Sequence, residues 1–169
     1  PMFVVLDETS DVEFRPNMTA NRGNILETRY RKLWDKTDLN ATIFTGYVST
    51  FDKNREDVSA ANIKMDSSIQ DGWRINLDFK KSSQDTFLRR YDLDDETAFR
   101  SEFSGNKTTN NSHYHVEFSE VQNLTDTSIE RNSPITLPSI TVEKTGKGFI
   151  QGHILKTKIH ANHIWQDLG

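Results

Sequence analysis

Alternation of apolar and polar residues, more than any motif, limits what this chain can fold into. Residues 72–79 read GWRINLDF, with Trp73, Ile75, Leu77 and Phe79 on one side; residues 113–121 read HYHVEFSEV, with Tyr114, Val116 and Phe118 on one side. Side chains alternate across a strand, so a period of two marks half-buried β-structure. Residues 42–51, TIFTGYVSTF, belong to the same class, and 3–6, 59–65, 86–91, 98–103 and 135–142 are further candidate strands. Polar turns at 52–54, 70–72 and 105–111 separate them. About eight strands in this spacing predict an all-β fold, an antiparallel β-sandwich of jelly-roll-like form.

Composition agrees with a thin β-structure. Only 34% of the 169 residues are hydrophobic and the mean hydropathy is −0.72, too polar for a thick α/β core. The 21 basic and 25 acidic residues give a net charge of −4, without the basic footprint that nucleic acid requires. There is no cysteine, which excludes disulfides and thiolate metal sites. No apolar run reaches the eighteen or so residues of a spanning helix, and PMFVVLDE has no basic region or cleavage site, so a soluble chain with no membrane insertion and no export signal is expected. Five glycosylation sequons, at Asn17, Asn40, Asn106, Asn110 and Asn123, follow from an Asn- and Thr-rich composition.

Two segments are ambiguous. Residues 24–38, NILETRYRKLWDKTD, suit an amphipathic helix or a long polar strand, and the lack of a cap before the β-branched residues that follow favours the strand. Pro134 and Pro138 make the last strand of the body an edge or an interrupted one, because proline cannot donate to a central ladder. Gly146 and Gly148 then divide a sandwich domain, 1–147, from a tail, 148–169. In that tail Ile154, Ile159 and Ile164 stand five apart, flanked by Ile150 and Leu168, a spacing that suits stacked solenoid turns or intertwined chains. Ile150, Ile154, Thr157, Ala161, Ile164 and Leu168 also fit a heptad seam, with Ile159 outside it. Either way the tail needs a partner copy, the remaining reading being an ordinary frayed terminus.

Candidate chemistry is sparse. His113 and His115, with Glu120 beyond them, resemble the first half of a cupin metal motif, H-x-H-x4-E. The closing glycine is replaced by Thr127 and no second motif follows, so two solvent-facing histidines opposite Tyr114, Val116 and Phe118 are expected, with no metal and no cofactor. The acidic run Asp92, Asp94, Asp95, Glu96 lacks the ligand alternation and glycine of a calcium loop. No nucleophile elbow, phosphate loop or Ser/His/Asp constellation is present, so an enzyme is not expected. The aromatics Trp34, Tyr30, Trp73 and Tyr114 are the candidate ligand-binding residues, since exposed rings stack on sugars; core packing competes for Trp73 and Tyr114, and Trp34 is the exposed ring.

The segment GFIQGHILKTKIHANHIWQDL resembles the I-x4-I repeats that follow globular modules in tailed-bacteriophage tail-tip, baseplate and tail-fibre proteins, and SITVEKTGKG is similar to the exit of their sandwich modules. That resemblance implies a homotrimeric structural or adhesion module of a phage virion, joined through Ile150, Ile154, Ile159, Ile164 and Leu168, with other tail or baseplate proteins and host-surface saccharide as partners. Two alternatives are a monomeric carbohydrate-binding module of a secreted bacterial protein and a cupin-like metalloenzyme.

Overall fold

The computed structural model describes residues 1–19, 23–49, 55–84, 86–124, 135–147 and 153–165. Ten strands run through them: β1 (Met2–Asp7), β2 (Ser10–Thr19), β3 (Gly23–Trp34), β4 (Thr37–Ser49), β5 (Arg55–Ser68), β6 (Trp73–Ser82), β7 (Ala98–Thr108), β8 (Ser112–Asn123), β9 (Ile135–Lys147) and β10 (Ile154–Trp165). Their order in space is their order in sequence, in one sheet, and the pairings are antiparallel throughout. The all-β antiparallel expectation therefore holds. The sandwich does not: the described strands form one sheet where two were expected. Alternation identifies a half-buried face but not what covers it, and a second sheet is only one of the possible covers.

Local chemistry explains the meander. At the first turn Asp7 Oδ1 accepts 2.8 Å hydrogen bonds from both the Thr9 amide and its hydroxyl. Asp35 and Lys36 alone join β3 to β4, a length that forces antiparallel pairing. A single 3₁₀ turn, Gln70–Gly72, joins β5 to β6, where Asp71 and Gly72 take φ of 62° and 75°, the left-handed region that glycine tolerates without strain. Residues 24–38 are extended rather than helical, but as two strands and not one: all of β3 after its first residue, the turn, and the first two residues of β4. Residues 86–91, expected as a strand, contain instead one helical turn, α1 (Phe87–Arg90); the apolar run there is too short for periodicity to distinguish the two.

The proline-bearing strand β9 is central rather than an edge, and it is interrupted. Its pairing with β8 shifts between Glu117 and Ser119, and its pairing with β10 shifts between Ala161 and His163. Both irregularities flank Pro138, where a bulge removes the need for an amide donor. β10 pairs with β9 from Ile154↔Lys147 to Trp165↔Ile135, so residues read as an intertwining tail form an ordinary strand of the same sheet.

The buried core is small and sits at one end. Ile25, Phe44, Val48, Val58 and Ala60 of β3–β5 pack with Phe87, Leu88 and Tyr91 at α1, completed by Phe99 and Leu124. Elsewhere the sheet is open. The chain exposes 11,818 Å², against about 8,500 Å² for a compact monomer of 19.5 kDa.

Candidate functional site

Because every register is known, each residue can be assigned to a face. One face carries an apolar band from strand to strand: Val12, Tyr30, Ala41, Ile63 and Phe79 lie in one cross-strand row, and Leu39, Met65, Leu77, Phe103 and Phe118 in the next. Val116, Ile140 and Ala161 continue it to β10. Large side chains on this face lie open: Ile43 is 43% exposed, Phe118 41%, Ile140 41% and Ile159 62%. A continuous uncovered apolar face of this extent marks an interaction surface.

The opposite face is charged. Arg31 meets Asp11 at 2.9 Å and Arg15 meets Glu13 at 2.8 Å, and Arg29 is bonded to Glu27. Lys64–Asp78 at 3.3 Å and Arg74–Asp66 at 3.4 Å cross β5 and β6. Arg100 bridges Glu102 and Glu117, and Lys156 and Lys158 share Glu143 at 3.2 and 3.0 Å. These residues were not singled out from sequence. The signal was present as the polar half of the same alternation that revealed the strands.

The candidate aromatics divide by position along the strands. Trp34 closes β3, Trp73 opens β6 and Tyr114 lies near the start of β8, all on the apolar face at the end with the β3–β4, β5–β6 and β7–β8 turns. Trp73 and Tyr114 come together, ring centroids 6.4 Å apart, and the Trp73 ring lies beside Gly105, 3.7 Å from where a Cβ would stand. Lys107 Nζ is 5.9 Å from Trp73 and Lys32 Nζ is 5.8 Å from Trp34, which is 47% exposed. Tyr30 stands a full turn of pleat deeper in the apolar band. The four rings are thus not one stacking platform.

The histidine motif does not converge. His113 and His115 are on the charged face, bonded to Thr108 at 3.0 Å and to Asn106 at 2.7 Å. Glu120 is on the apolar face, where it pairs with Lys81 at 2.8 Å, because seven and five residues are odd steps along a strand. Glu96 of the acidic run pairs with Lys80.

The five-residue isoleucine spacing fails for the same reason. In a strand an odd step reverses the face, so Ile154 lies on the charged side and Ile159 on the apolar side, 77% and 62% exposed. Ile164 is paired with Thr136 within β10; Ile150 and Leu168 lie outside the described residues.

Comparison with known proteins decides between assignments. No curated protein matches the chain. A family model described as LptD, LPS transport system D, matches residues 56–165, from the second residue of β5 to the last of β10. That match overturns the phage resemblance, and with it the virion location, the tail and baseplate partners, the trimer and the host-saccharide adhesion; neither the secreted carbohydrate-binding module nor the cupin-like enzyme is supported. With the match covering well over half of its length, the chain belongs to the LptD family of LPS transport proteins.

Proposed function

We propose that this sheet is a section of outer-membrane β-barrel wall that serves lipopolysaccharide transport, with its apolar face against lipid and its charged face toward an aqueous lumen. The observation that carries this reading is the uncovered apolar face set directly opposite a charged one in a single meander. Such a sheet would be unstable in water, whereas alternating strands with apolar residues outward and polar residues inward are what a bilayer stabilises. The connections support the same orientation. Those at one end span residues 8–9, 35–36, 69–72, 109–111 and 148–153, and those at the other include 83–97 and 124–134, as in barrels with short periplasmic turns and longer outer loops. Trp34, Trp73 and Tyr114 would form the aromatic belt at the short-turn interface, each ring part in lipid and part among headgroups. On this reading the chain guides a lipid rather than transforming it.

The test is depth-dependent quenching. The full chain is reconstituted into vesicles as a Trp73-only variant, with Trp34 and Trp165 changed to Phe, using lipids brominated at successive acyl positions. Strong quenching by shallow bromines is expected for Trp73, and deep quenching when the single tryptophan is moved to Leu77. A Thr141→Trp probe on the charged face should respond to aqueous iodide instead. Equal iodide access from both faces would reject the membrane reading.

A further inference from the structure

The charged face is zoned, and the zones differ in how their charges are held. On β2 and β3 the three arginines Arg15, Arg29 and Arg31 each have a carboxylate partner. Across β4–β7 a groove of about 310 Å³ is lined by Asp38, Asp66, Asp78 and Glu102 with Lys64; Arg74 is paired to Asp66 and Arg100 to Glu102, so the carboxylates still outnumber the cations. On β9 and β10 the balance reverses. Lys147, Lys156 and Lys158 face the same side as Glu143, the one carboxylate of these two strands, with His160 in the next row; on β8, His113 and His115 share this face with Glu117, which is bonded to His115 and to Arg100.

Two ammonium groups sharing one carboxylate leave one positive charge uncompensated. Both are held loosely: the Lys156 and Lys158 side chains are 65% and 59% exposed, and Lys147 is exposed as well. Lysine is a mobile point charge on a flexible stem, while arginine presents a fixed fork that grips one oxyanion. Lysines that share one carboxylate therefore suit a passing anion, and the arginines of β2 and β3, each already matched by its own carboxylate, do not compete for it.

We propose that the charged face of β8–β10 is a track for the anionic groups, phosphate or carboxylate, of the saccharide portion of lipopolysaccharide, and that the acidic groove of β4–β7 turns those groups away. This rests on the lumen assignment above and adds a location to it. Charge complementarity identifies the occupant: the lipid that the family transports is polyanionic, and opposed zones on one wall would confine it to the cationic side.

The experiment places a photoreactive residue at Thr145 in the cationic zone or at Asn76 in the acidic groove, in the full chain made in cells that produce lipopolysaccharide. Adducts are detected with an antibody to the saccharide. The yield at Thr145 is expected to exceed that at Asn76 by about tenfold, the ratio given by roughly 1.4 kcal/mol of differential contact. The K156E/K158E double variant should bring Thr145 down to the Asn76 level, and E143Q, which releases both lysines, should raise it. Both changes sit on or beside an outer strand of the sheet, and unchanged circular dichroism would establish folding. Equal yields at the two positions, or a Thr145 yield indifferent to both variants, would overturn the track while leaving the lumen assignment standing. No adduct at either position, with adducts at the apolar-face residue Ile43, would overturn both.

Discussion

The charged face of the sheet is built in two ways at its two ends. At the end of the longer connections much of it is apolar and buried: Ile25, Val48 and Val58, on the same face as Arg29 and Arg31, are 2%, 2% and 4% exposed, because the β6–β7 connection folds back and lays α1 over them. Toward the short turns the same strands carry ion pairs open to solvent. One end is held by packing, which is worth kilocalories per side chain, and the other by exposed ion pairs, each worth about 0–1 kcal/mol. The lesson is that this sheet concentrates its own tertiary stability in one small cluster, and leaves the rest of its order to backbone pairing and to whatever covers its apolar face.

The largest effect should come from breaking the packed end. Phe87, 1% exposed, anchors α1, which is also tied by Arg89 to the Leu124 carbonyl at 3.1 Å. F87A should cost about 3–5 kcal/mol by loss of buried area and the cavity left behind, read as a lower urea midpoint in detergent micelles. A loss below about 1 kcal/mol would mean that the cluster is not where this sheet stores its stability.

Next in size is a substitution that separates a lipid cover from a protein one. Leu77 lies mid-strand on β6 in the apolar band. Arginine there should cost about 2–4 kcal/mol in a bilayer, the penalty of a cation near the midplane of a barrel wall. Vesicle refolding yields for L77R and for N76R, one residue along and on the charged face, should differ strongly. Equal yields would remove the contrast between faces.

A third effect belongs to the packed end alone. A Cβ added at Gly46 would stand 2.1 Å from the Asn24 carbonyl oxygen, and one at Gly23, where φ is +117°, would stand 2.1 Å from that of Tyr47. Both neighbours are backbone, so β3 and β4 would have to separate. G46A should cost about 1–3 kcal/mol, while G146A, with nothing within 4 Å, should be close to neutral.

How far all this was legible in the chain depends on which residues are considered. The alternation of 72–79 and 113–121 located β6 and β8 because one face of each is continuously apolar. β2 was missed, since SDVEFRPNMT interleaves charge and carries Pro16; the proline is tolerated because it lies beyond Phe14, the last β2 residue paired with β1. The isoleucines of β10 misled because an odd spacing has no meaning on one strand face, and attention to Leu155, Thr157, Ile159 and Ala161 would have shown a period of two. The sandwich expectation follows from the faces and fails on the number of sheets: apolar alternation is the same whether a second sheet or a lipid covers it. The Trp73–Tyr114 contact was out of reach, for it depends on the registers of β6 to β8.

The smallest expected effect tests the other half of the comparison. Arg31, its side chain 57% exposed, meets Asp11 at 2.9 Å, a geometry that looks strong but sits where water screens it. R31A should lower stability by about 0–1 kcal/mol, and 1 M salt, which shortens the Debye length to about 3 Å, should erase the difference from the parent chain. F87A should respond to salt in the same way as the parent, so that its deficit persists. If R31A instead approached the cost of F87A, and did so at high salt, the ion pairs of the open end would have to be shielded from water, and the charged face could not be lining an aqueous lumen.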